Sequence, residues 1–290
     1  MEKHVFKFGA GSWAVIVPKA WVERNGINSE SVMDMREDEV GNIVLSTKVE
    51  AVKDAELTLD GELSPGVAAR WVGMYYRHGV KKLTVFAQEG TANKQFEHIQ
   101  DLVTRFCPGF EIVSRAKREM VLEDFTDMKE VSIEKILLRM RSLINEELKE
   151  IGQGDKSSVK KLEDLVNRFF VLGIRYVNIV QGTDALKHLK VLQLLETISD
   201  QLYLLSENAN VKNKNMFEKL ADEFELCFKA LDGDYKALES AAAIRENVLR
   251  LLSRAKASSL DAYLVAEASK NMVKIAEFAL DVGSNALSGF

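Results

Sequence analysis

The residues best placed to do chemistry are acids spaced for one helix face. Glu196 and Asp200 stand four apart in Leu195-Glu-Thr-Ile-Ser-Asp200. Glu163 and Asn167 have the same spacing in Leu162-Glu-Asp-Leu-Val-Asn167. Side chains four apart share a helix face, so two such helices packed together would bring carboxylates and an amide carbonyl into one cluster. That is a hard oxygen donor set, suited to a divalent cation or iron. The same spacing also occurs on solvated helix faces that bind nothing. Few other residues suggest chemistry. The histidines at 4, 78, 98 and 188 are scattered. No Ser-His-Asp or Cys-His arrangement stands out. Gly9-Ala10-Gly11 joins two strands without a following βαβ unit, so it is no dinucleotide loop, and no phosphate-binding GxxxxGK[ST] run occurs. The expectation is a chain that is not an enzyme.

These acids need long helices to hold them. From Ser132 onward, Ile133, Ile136, Leu137, Met140 and Ile144 form a stripe at helical spacing. Ser132 suits an N-cap and Glu134 the first turn. Six helices are expected, at about 132–151, 157–180, 184–208, 214–231, 234–255 and 259–283. Short loops join them: Gly152-Gln-Gly-Asp155, Gly182-Thr-Asp184, an Asn-rich stretch at 208–215, and Asp232-Gly-Asp234. Long amphipathic helices with short connections pack as a bundle. Gly154-Asp155 and Gly233-Asp234 each precede the second helix of a three-helix set, which suggests two halves of one plan without shared residue identities.

Two smaller regions precede the bundle. Residues 3–8 alternate, turn at Gly9 to Ser12, and run on through Trp13 to Val17, as a hairpin would. Pro18 opens a short helix that Gly26 ends. Val32 to Met35 and Ile43 to Leu45 read as two more strands around Gly41-Asn42. About 50 residues of this kind supply too little core to stand alone, so the module should pair with a copy of itself. Residues 51–131 read as strand, helix, strand, helix, strand, strand, a small α+β domain. Trp71, Tyr75 and Tyr76 fall at helical spacing and are expected in its core. The fold class is therefore α+β, mostly α, with divisions at 1–50, 51–131 and 132–290.

Bulk properties limit the partners. The 290 residues carry a net charge of −5. It is spread evenly, with 6 basic and 8 acidic side chains in 1–50, 11 and 13 in 51–131, and 22 and 23 in 132–290. Global charge thus gives no help toward nucleic acid or anionic lipid. Cys107 and Cys227 are far apart without CxxC partners, and are expected as reduced, buried thiols. No signal peptide and no transmembrane helix is expected, which points to a cytoplasmic protein.

Residues 3–45 resemble the SpoVT/AbrB swapped-hairpin module. The likeness rests on Lys3-His-Val-Phe-Lys-Phe-Gly9, Val15-Ile-Val-Pro18-Lys-Ala-Trp21, Asn25-Gly26-Ile27 and Asp38-Glu-Val-Gly-Asn-Ile-Val-Leu45. Residues 132–290 resemble PhoU. Glu196 and Asp200, followed by Leu204-Leu-Ser-Glu207, look like that family's E-x-x-x-D segment, and Glu163 to Arg168 like the matching segment with Asn167 where Asp is usual. Phe110 to Val113, Met120 to Phe125, Ser132 to Lys135, Arg139 and Met140 look like the connector of archaeal proteins that join the two modules.

The resemblance implies a dimeric phosphate uptake regulator that binds a phosphate transporter or signalling protein. It also implies a multinuclear metal site at Glu163, Asn167, Glu196 and Asp200. Its hairpin relatives often bind DNA, which here implies Lys3, Lys7, Lys19 and Arg24 as contacts in a transcription regulator. A protein-binding scaffold is the remaining alternative. Two features depart from the pattern. Val22-Glu23 replaces the basic pair of DNA-binding relatives, and in the second half Arg245, Leu249, Ser269 and Val273 fall where acids would repeat.

Overall fold

The computed structural model describes residues 4–31, 33–37, 43–47, 54–128, 130–180, 185–208, 214–231, 234–254 and 259–282. Lys3, the Gly41-Asn42 turn, the Gly182-Thr-Asp184 loop, residues 209–213 and Asp232-Gly233 lie outside the described residues. The chain divides into two compact units, 1–50 and 51–290.

In the first unit, β1 (Val5–Phe8) and β2 (Ser12–Val15) form an antiparallel pair with Val5 opposite Val15 and Phe8 opposite Ser12. Gly9 turns between them at φ 72°, a backbone conformation that a side chain disfavours. Pro18 precedes α1 (Lys19–Arg24), and β3 (Met33–Glu37) pairs antiparallel with β4 (Ile43–Thr47). No described side chain of this unit is buried. Phe8 and Trp13 are each 69% exposed, and Val5, Ile16, Met35 and Ile43 at least 60%.

The second unit begins with a four-stranded sheet in the order β5 (Asp54–Thr58), β6 (Lys82–Phe86), β8 (Glu119–Asp124), β7 (Phe110–Arg115). β5 and β6 run parallel, linked through α2 (Pro65–Arg77); the other pairings are antiparallel, and β7 carries a bulge between Ile112 and Ser114. Ser64 caps α2 by accepting from the Val67 amide, with Pro65 at the first helical position. Leu83 and Val85 of β6 point inward while Lys82, Thr84 and Phe86 do not, the alternation of a sheet with one packed face. α2 and α3 (Ala92–Phe106) bury Val72, Tyr76, Phe96 and Ile99 in the same core as Phe110, Met120 and Leu122. Of the three aromatics expected inside, Tyr76 is fully buried and Tyr75 half-buried. Trp71 is 44% exposed, because the inward face of α2 passes through Ala68, Ala69, Val72 and Tyr76 instead.

The rest of this unit is helical: α4 (Ile133–Gln153), α5 (Lys156–Val180), α6 (Ala185–Asn208), α7 (Lys214–Leu231), α8 (Tyr235–Arg254) and α9 (Ser259–Val282). Ser132 caps α4 by accepting from the Lys135 amide, and Gly154 ends it at φ 81°. α4, α5 and α6 pack on one another, as do α7, α8 and α9; α4 also packs on α7, and α6 on α9. One apolar core runs through both sets, from Ile136 and Leu195 to Phe224 and Met272. Both cysteines are buried, and neither is in a disulfide. Among the described residues no helix is long and apolar enough to cross a membrane.

Sheet and helices meet at α5. Arg175, fully buried, donates to the Tyr76 and Val80 carbonyls and to Asp124 Oδ2 at 2.5 Å, and its guanidinium lies 4.5 Å from the Tyr76 ring centre. Lys81 also donates to Asp124, at 2.6 Å. Arg105 of α3 grips Asp164 of α5 with two bonds of 2.8 and 2.9 Å. Removing one partner of a buried pair such as Arg175–Asp124 costs about 3–5 kcal/mol, so these pairs hold the sheet domain to the helices.

Candidate functional site

The first three-helix set gathers its acids. Glu163, on the buried side of α5, accepts from Lys160 Nζ at 2.7 Å and from Asn167 Nδ2 at 2.5 Å. Glu196 and Asp200 are half-buried on α6. Burial, then Asp200, then Glu163 push the Glu196 carboxyl up to about 7. Asp200 is raised as well, by burial and then by Glu163, against the pull of Lys160. The expected acids therefore do come within electrostatic reach of one another.

A fourth acid joins them. Glu147 of α4 is fully buried and accepts from Ser199 Oγ of α6 at 2.6 Å. Its other oxygen has no hydrogen-bond partner. Burial pushes this carboxyl up to about 8, with Glu163 and Asp200 adding to the rise. Burial thus favours its protonated form, since the proton is the cheapest way to hold a carboxyl away from water. A signal for it existed: Glu147 continues the apolar stripe of α4 beside Ile144, Leu148 and Ile151.

The second set repeats this pair. Glu223 of α7, also fully buried, accepts from Ser269 Oγ of α9 at 2.6 Å, and its second oxygen is again without a partner. Burial pushes it up to about 7, opposed by Ser269 and Arg245. Glu147 with Ser199 and Glu223 with Ser269 are equivalent places in the two sets. Ser269 therefore matches Ser199, not Glu196. In that register Ala266 and Lys270 stand where the first set has Glu196 and Asp200. The duplication is carried by residue identity as well as by architecture, and among the described residues the partly buried acids beside the pair, Glu163 and Asp200, belong to the first set.

The donor chemistry of Glu163, Glu196 and Asp200 suits a hard cation. The arrangement has not closed around one. Among the described residues no group of three or more His, Cys, Asp or Glu converges at ligand spacing. The Lys160 ammonium neutralises Glu163, and Asn167 turns its amide nitrogen, not its carbonyl, toward that carboxylate.

Lys7 and Arg24 are exposed, and Lys19 lies 3.5 Å from Glu23 on its own helix. The chain matches no family model, and no curated protein or solved structure matches it.

Proposed function

We propose that the protein is a regulator of phosphate uptake and phosphate homeostasis in the cytoplasm, built as a PhoU-like bundle of two three-helix halves behind an AbrB-like swapped hairpin. One observation carries the reading: a duplicated three-helix plan in which, among the described residues, one copy bears a partly buried carboxylate cluster and the other does not. Such a cluster is a place for a signal to act, while the long helix faces offer surface to a transporter subunit or a signalling protein. Glu163, Glu196 and Asp200, with the Asn167 carbonyl, are the donors we assign to a divalent metal or iron, which would displace the Lys160 ammonium. The reading needs no catalysis.

The hairpin unit makes the regulator a homodimer. A two-stranded hairpin is marginal by itself, and here Phe8, Trp13, Ile16 and Met35 lie open. A second copy would cover them. A native mass near twice 32.6 kDa is expected; a single-chain mass removes the dimer from the proposal.

The reading is tested in cells. With the protein removed, phosphate uptake should stay high when phosphate is plentiful, and the full chain should restore control. Unchanged uptake overturns it. The exposed Lys7 and Arg24 favour one other reading, a transcription regulator. Its mark would be sequence-selective DNA binding that falls steeply with salt, as counterions released from phosphate contacts require.

A further inference from the structure

A cleft of about 240 Å³ opens between the sheet domain and the helices, bounded by α2, α3, α5 and α6. Arg70 and Arg77 line one side. Seven apart on α2, they lie on one helix face. Between them Gly73 presents no side chain, and a Cβ there would stand 3.4 Å from Leu102 of α3. Phe106 and Phe170 supply apolar surface, and Asn167 and Glu196 supply polar groups on the bundle side.

The arginines of this seam fall into two kinds. Arg105 and Arg175 are paired with Asp164 and Asp124 and hold the seam together. The guanidiniums of Arg70, Arg77 and Arg168 have no hydrogen bond or ion pair among the described residues. Arg77 and Arg168 both act on the thiol of Cys107 in the cleft wall, which burial nevertheless pushes up to about 12. Uncommitted positive charge thus faces a partly apolar cleft. A planar guanidinium fork matches the oxygens of a phosphate, and two of them balance a dianion.

We propose that this cleft binds a small organic phosphate of the nucleoside monophosphate class. The phosphate lies against Arg70 and Arg77, and the flat base against Phe106 and Phe170. Asn167 and Glu196 close the bundle end of the cleft beyond the base. At about 240 Å³ the cleft is just below the roughly 300–1,000 Å³ of drug-sized ligand pockets, so a mononucleotide, partly open to solvent, is the largest nucleotide it takes. The proposal goes beyond the phosphate-uptake reading and does not depend on it, since it is decided by binding to the purified chain.

The experiment is calorimetric titration of the full-length protein with adenosine and guanosine 5′-monophosphates, the free nucleosides and inorganic phosphate. At least one monophosphate should saturate, with its nucleoside and inorganic phosphate each about tenfold weaker or worse. Replacing Arg70→Gln and Arg77→Gln together should weaken binding by about tenfold or more, as expected for lost charge-assisted bonds. Both side chains are without partners, so folding should be unaffected. Should the double variant lose its fold, Arg70→Gln alone, at an exposed position, must weaken binding in the same direction. No saturation by any monophosphate at millimolar concentration overturns the proposal. So does full affinity in the arginine variants, or inorganic phosphate binding as tightly as the nucleotide.

Discussion

The two three-helix sets of the bundle bury the same device and differ in what surrounds it. In both, a fully buried glutamate on the first helix accepts from a serine on the third at 2.6 Å. In α4–α6 the charges acting on Glu147 are those of Glu163 and Asp200; in α7–α9 the charge acting on Glu223 is that of Arg245. What the sets share is structural, a buried carboxyl whose protonated form burial favours, linked by a serine to the third helix. What only one has is the candidate for function.

The largest test of that division is pH. The ordinary carboxyl value is 4.5, against about 8 for Glu147 and about 7 for Glu223 in the folded chain. Between those values the folded protein keeps a proton that the unfolded chain releases. Stability is therefore full below about pH 4.5 and is lost as pH rises toward 7 and 8. Denaturant unfolding at pH 8 should show less stability than at pH 5, by on the order of a few kcal/mol. Glu147→Gln should flatten that slope more than Glu223→Gln, because acids add to the rise at Glu147 while Arg245 opposes it at Glu223. Equal effects would break the comparison.

Metal sharpens it next. Manganese or ferrous ion at about 100 times Kd should stabilise the protein by about 2.7 kcal/mol, and a Glu196→Gln, Asp200→Asn variant should not respond. A wild type whose unfolding is indifferent to both ions would take the metal out of the proposal. The smallest effect is common to both sets. Ser199→Ala and Ser269→Ala should each cost about 1–2 kcal/mol, measured by thermal or denaturant unfolding. A large difference between them would show that the pairs are not equivalent.

Much of this could be read in advance. Every strand and helix expected from periodicity and capping is present within a few residues of its expected bounds, because Ser64-Pro65, Ser132 and Gly154 punctuate strongly patterned segments. The acids were legible by spacing. Their buried partners were not: Glu147 and Glu223 look like ordinary helix charges until the third helix brings a serine to each. Arg175, in Gly-Ile-Arg-Tyr-Val, likewise shows nothing of its three acceptors on the sheet domain.

Sequence by itself determined the local elements, their order, the doubled three-helix plan and the spacing of Glu163, Asn167, Glu196 and Asp200, since these follow from residue period and end signals. Only the tertiary structure decided which charges lose water and which find partners. It buried Glu147 and Glu223 against serines of the third helices and left Arg70 and Arg77 facing an open cleft. Burial and pairing depend on residues 46 to 99 positions away in these contacts, a distance over which no local pattern carries information.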